Sequence, residues 1–133
     1  IELYESNSEV KNNTVIKNEF GIRIAGISTP SVTKNLVDSN IGILIGYSGY
    51  YPNATPEIHR NNLQCRDYFY KILHSNALDV NAQYNFHYTL DIEYIMKKTF
   101  DKVDYLPDLQ PRVGNIIFQP VLSDLENGTG VQL

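Results

Sequence analysis

The chain has 133 residues, 42% of them hydrophobic and 20% charged, which is an ordinary composition for one globular domain and enough length to bury a core without staples. A net charge of −4 and a pI near 5.2 exclude the basic face that a nucleic-acid binder uses to neutralise phosphates, and the 11 Lys and Arg are too spread out to form a polybasic membrane anchor. The single cysteine, Cys65, excludes an internal disulfide and a cysteine zinc cluster, and no segment has the uncharged apolar run of a transmembrane helix.

In chain order, residues 1–19 are polar and Asn-rich, with Ile1, Leu3, Tyr4, Val10, Val15 and Ile16 scattered among them, and read as a loose N-terminal arm or an edge strand. Phe20 to Ser28 reads as a strand with Phe20, Ile22 and Ile24 on one face. Thr29-Pro30 stops it, and Val32 and Leu36, four apart, suggest a short helix or turn ending near Asp38. Ile41 to Tyr47 is the most apolar run. Its two apolar sides predict a strand central in its sheet, and Gly42 and Gly46 leave room for something packed closely against them.

Thr55, Pro56 and Glu57 have the chemistry of a helix start, and Ile58, Cys65, Phe69 and Ile72 make an apolar stripe, so the main helix is expected over about 56–75. Residues 84–96 then alternate. Tyr84, Phe86, Tyr88, Leu90, Ile92, Tyr94 and Met96 fall on one side, and Asn85, His87, Thr89, Asp91 and Glu93 on the other. That predicts a long strand, roughly 40 Å, with the aromatic and aliphatic side in the core. Val113 to Gln119 reads as a further strand, and the tail over 124–133 as mobile or a hairpin tip. The expected fold is a single α+β domain over 1–133 with a mixed or mainly antiparallel sheet, one main helix on one face, and no internal repeat.

The candidate chemistries are weak. Gly46-Tyr47-Ser48-Gly49-Tyr50 follows a buried strand, but the G-x-S-x-G turn that presents a nucleophilic serine needs glycine where Tyr50 stands, and Pro52 and Pro56 separate it from the next element. No catalytic residue is assigned there. Instead Tyr47, Ser48, Tyr50 and Tyr51 form a candidate binding loop, because aromatic side chains commonly line sugar and small-molecule sites. His87, Asp91 and Glu93 share the polar side of the predicted strand, where a small metalloprotein or enzyme could be built. Along a strand, however, His87 and Asp91 would stand about 13 Å apart. His59 and His74 read as surface or cap residues, Cys65 as core, and Asp101, Asp104 and Asp108 lack the glycine and terminal glutamate of a calcium loop.

No cofactor and no metal are therefore expected. The leading expectation is a non-enzymatic structural or assembly subunit, a homo-oligomer or one part of a complex with other protein subunits. The small α+β subunits of phage tails and virions are the architectural analogy. A binding module using the Tyr47–Tyr51 loop is the first alternative, and a small enzyme or metalloprotein on His87, Asp91 and Glu93 the second.

Overall fold

The computed structural model describes residues 1–46, 53–73 and 76–130. The chain winds as a parallel β-solenoid of about three turns with three strands in each. The first turn carries β1 (Glu2–Tyr4), β2 (Glu9–Lys11) and β3 (Thr14–Ile16), and the second β4 (Phe20–Ala25), β5 (Ser31–Thr33) and β6 (Leu36–Asp38). The third carries β7 (Ile41–Ile45), β8 (Glu57–His59) and β9 (Asn62–Leu63). A less regular turn follows, with β10 (Tyr68–Ile72), β11 (Val80–Asn81) and a parallel bridge from Phe86 to Asn62 where a third strand would stand. The six-residue helix α1 (Ile92–Lys97), β12 (Thr99–Phe100) and β13 (Ile116–Ile117) close the described chain. Strands stack into three sheets, β1-β4-β7-β10-β12, β2-β5-β8-β11-β13 and β3-β6-β9, and every pairing is parallel.

The local sequence explains the short strands. In β2, β3, β5, β6 and β8 an apolar residue stands at the centre of each triplet and is buried: Val10, Val15, Val32, Val37 and Ile58. Parallel register then stacks like on like. Val10 pairs with Val32 and Val32 with Ile58; Val15 pairs with Val37 and Val37 with Leu63; Ile43 pairs with both Ile22 and Tyr70. The interior is thus a set of apolar columns, and fully burying each Val, Leu or Ile is worth about 1.5–3 kcal/mol.

One corner is held by a column of amides. Oδ1 of Asn35 accepts from both N–H groups of Asn13, backbone and side chain, at 3.0 Å. Asn61 does the same for Asn35, and Asn85 for Asn61, again at 3.0 Å. Nδ2 of Asn35, Asn61 and Asn85 reaches the carbonyls of Val10, Val32 and Ile58 at 2.8–2.9 Å. These asparagines are 22, 26 and 24 residues apart. The residue before each one is left-handed: φ is 58° at Asn12, 55° at Lys34, 58° at Arg60 and 61° at Tyr84. That conformation turns the chain sharply enough to swing the following side chain inward.

This architecture overturns the α+β expectation of a mixed or mainly antiparallel sheet. The predicted helix over about 56–75 is replaced, within the described residues, by β8, β9 and β10. Its apolar stripe is drawn from different sides of the coil, with Ile58 in β8, Cys65 just after β9, and Phe69 and Ile72 in β10, all buried, and the left-handed Arg60 turning the chain after Ile58. The short helix after Pro30 is instead β5 and β6, and residues 1–19 supply β1, β2 and β3. The long strand over 84–96 is absent, since residues 92–97 form α1, and its faces are reversed. Asn85 and His87 are buried, whereas Leu90 is 59% exposed. The amide column pulls Asn85 inward, and with a period of two the next inward position is His87. The expectation of no internal repeat also fails, because the repeat lies in asparagine spacing rather than in sequence identity. The strand over Ile41–Ile45 is central in its sheet, as read, and a Cβ on Gly42 would stand 2.6 Å from Cys65 Sγ.

Removing the Asn61 side chain strands the Asn35 amides and the Val32 carbonyl in the interior. At about 1–3 kcal/mol for each buried orphan, Asn61→Ala is expected to cost about 3 kcal/mol or more in chemical denaturation. Lys34→Gly, which relieves a left-handed backbone, is expected to hold or raise stability. A loss below about 1 kcal/mol for Asn61→Ala would remove the ladder from its central place.

Candidate functional site

The candidate binding residues Tyr47, Ser48, Tyr50 and Tyr51 lie outside the described residues, as does His74. The chemistry that is described gathers at a cleft of about 330 Å³ lined by Gln64, Cys65, Phe69, His87, Tyr88, Thr89, Asp91 and Tyr94. Gln64 and Cys65 follow β9, Phe69 belongs to β10, residues 87–91 run on from the last ladder asparagine, and Tyr94 stands on α1.

His87 is the centre of the site. The Phe86–Asn62 bridge places it level with Leu63, in the inward column that Val15 and Val37 fill lower in the coil, and it is 2% exposed. Its Nε2 is 2.7 Å from the Tyr70 hydroxyl, and its ring meets Phe69 edge-on at 4.8 Å between centroids. Asn85 Oδ1 already accepts two bonds from Asn61, so the buried Tyr70 hydroxyl donates to Nε2. This leaves the proton of the neutral ring on Nδ1, a fully buried atom that lies against the Asn85 backbone. Burial outweighs the nearby Asn85 backbone and pushes the His87 pKa down to about 4.

The other polar groups are arranged around that ring. Cys65 is buried, and burial drives its thiol up to about 12, so it is a protonated thiol at neutral pH. The Tyr70 hydroxyl is also pushed up by burial. Asp91 caps α1, with Oδ1 accepting from Tyr94 N at 3.2 Å, and its own N–H donates to Thr89 Oγ1 at 3.1 Å. Tyr88 and Tyr94 form the rim and are 41% and 43% exposed. Lys98 Nζ donates to the Cys65 carbonyl at 2.9 Å and lies 4.8 Å from the Tyr94 ring centroid.

The structure therefore brings His87 and Asp91 to one cleft, together with Cys65, while Glu93 does not line it. Among the described residues no group of three or more His, Cys, Asp or Glu is placed to hold a metal ion. His59 is satisfied at the surface by Glu57 Oε2 at 2.7 Å and the Gln83 carbonyl at 2.9 Å. Asp101 caps a 3-10 turn and accepts from Ile116 N at 2.9 Å, which is a structural role. A second cleft, about 430 Å³, is lined by Lys17, Asn18, Glu19, Asp38, Ser39, Asn40 and Arg66. Although larger, it is flanked by balanced charges, and its buried Ser39 Oγ turns toward Gly21 in the interior, so it is the weaker site.

Compared with protein-family models, curated proteins and solved structures, the chain finds no match in any of the three. Sequence reasoning missed Gln64, Phe69 and Tyr94 as cleft residues and placed Cys65 only in the core. A signal was available. Val10, Val32 and Ile58 stand three residues before a ladder asparagine, and Val15, Val37 and Leu63 two after; at Asn85 the second position holds His87.

The folded-state pKa of about 4 lies below the ordinary 6.5, so between these pH values the unfolded chain takes up a proton that the folded chain refuses. Stability is expected to be full above pH 6.5 and to fall, by about 3 kcal/mol in all, as the pH drops to about 4. His87→Leu, made with Tyr70→Phe so that no hydroxyl is orphaned, should flatten that stretch of the profile. An unchanged slope would show that His87 is not buried as described.

Proposed function

We propose that this protein is a non-enzymatic binding module: a rigid solenoid that presents a small-molecule cleft beside its third sheet. The observation that carries this reading is the state of the two reactive side chains in the cleft. A nucleophilic cysteine needs a depressed pKa and a neighbouring base, and the Cys65 thiol is pushed up to about 12. A general acid or base works best with a pKa near the operating pH, and His87 is held near 4. The groups are placed for hydrogen bonding and contact, beneath two half-exposed tyrosines.

Assembly with other protein subunits or copies of this chain is the second reading. It is favoured by Leu90, Met96, Val103 and Leu106, all more than half exposed and all within residues 90–106. Exposed apolar side chains of this size are groups that a partner surface can cover.

Cys65 is expected to resist alkylation by iodoacetamide at pH 8 until the protein is unfolded, as followed by intact mass. Rapid labelling of the folded chain would instead favour an activated thiol and an enzyme. For the cleft, a fragment library followed by amide chemical shifts should perturb residues 64–69 and 87–94 together. Light scattering across a dilution series tests the second reading, and a species that remains a monomer at all concentrations counts against self-assembly.

A further inference from the structure

We propose that the outer face of the third sheet is a recognition site for a short acidic turn of a partner protein, of the form Glu-x-Gly-Thr-Gly, and that the chain's own residues 126–130 hold it closed in cis. The tail descends the coil along the outside of the ladder corner. Tyr84 N donates to the Pro120 carbonyl at 2.7 Å and Leu122 N to the Asn85 carbonyl at 2.9 Å, level with the fourth turn. Glu126 meets the third turn, where its Oε2 stands 3.4 Å from Arg60 Nη1. Gly130 N then donates to the Lys34 carbonyl of the second turn at 2.9 Å.

The side chain that reads this turn is Asn62, which stands in register with Leu36 and Thr14 on the sheet. It is 4% exposed and pairs with one tail residue through both ends of its amide. Oδ1 accepts from Glu126 N at 3.0 Å, and Nδ2 donates to the Glu126 carbonyl at 3.4 Å. Such a donor–acceptor pair recognises the main chain of a residue, and Arg60 adds selection for a carboxylate on it. Residues 127–128 form a turn, and Thr129 Oγ1 donates back to the Glu126 carbonyl across it. Position 130 admits only glycine, since φ is 78° and a Cβ would stand 2.7 Å from Thr14 Oγ1. The same contacts make the occupant exchangeable. Over residues 123–130 the one large apolar side chain, Leu125, is 50% exposed, so no hydrophobic burial fastens the segment. The Arg60 side chain is 55% exposed, which weakens its ion pair with Glu126. Asn62, Arg60 and the Lys34 carbonyl turn to water once uncovered, so opening strands no buried polar group. Val121, by contrast, packs against the core and anchors the tail upstream.

The experiment titrates the full chain carrying Glu126→Ala and Gly130→Ala, whose tail has lost its carboxylate and its glycine, with a synthetic peptide copying residues 123–130. Binding is followed by amide shifts, the Asn62 side-chain amide included. The expected result is saturable movement at Lys34, Arg60 and Asn62, about tenfold weaker in the unmodified chain because its own tail competes. In the peptide, Gly130→Ala should weaken the response by about tenfold or more, and Glu126→Ala severalfold. No movement in the loosened variant would overturn the proposal, as would an equal response from the unmodified chain or an undiminished response to the Gly130→Ala peptide. Unfolding of the loosened variant would overturn it as well, by showing the tail to be an integral wall of the coil. Movement of the same signals in the unmodified chain on concentration alone would assign the site to the tail of a second copy and overturn the partner.

Discussion

The asparagine column is the interaction on which the rest of this structure depends. Three asparagine side chains, on Asn35, Asn61 and Asn85, each accept two hydrogen bonds from the turn before and return donors to a carbonyl of that turn. A buried corner has backbone groups that no strand can satisfy, and each orphan would cost about 1–3 kcal/mol. Asparagine meets that need because one short side chain carries both a donor pair and an acceptor. The left-handed residue before it opposes the fold with about 1–2 kcal/mol of backbone strain, and the amide network offsets it.

Once the corner is set, the remaining columns follow from register. Each turn lays its inward residues on those of the turn before, so the core is decided position by position along the stack rather than by helix or strand amphipathicity. Columns of Val, Ile and Leu are self-consistent, because parallel stacking places similar shapes in contact. Gly21 and Gly42 are the exceptions that allow close approach. A Cβ on Gly21 would stand 2.6 Å from the Gly42 carbonyl, and one on Gly42 would meet Cys65 Sγ and the Phe69 carbonyl.

The candidate site is what results when one column changes character. At the fourth ladder position an imidazole replaces the aliphatic residue, and Tyr70 supplies the hydroxyl that satisfies one of its nitrogens. The regular third sheet ends there. The chain leaves the coil through residues 88–91 and enters α1, opening a cleft where a further strand would have continued the wall. The low pKa of His87 and the high pKa of Cys65 share one cause, since burial disfavours the charged form of each group. A site placed in this way favours recognition over proton transfer.

The sequence by itself determined the apolar strands Phe20–Ala25 and Ile41–Ile45, the central place of the second, and the burial of Cys65. A run of β-branched residues with close-packed glycines reads as buried strand in any fold. It was silent on winding. Triplets such as Glu9–Lys11 or Glu57–His59 are too short to show a period, and two triplets joined by a tight corner imitate the spacing of a helical stripe, as Ile58, Cys65 and Phe69 did. The alternation of residues 84–96 was equally legible and pointed to the wrong face. Hydrophobicity alone assigns Tyr84, Tyr88 and Leu90 to the core, and only the tertiary structure decides otherwise, because Asn61 one turn earlier donates to Asn85 and fixes which parity of that segment faces inward.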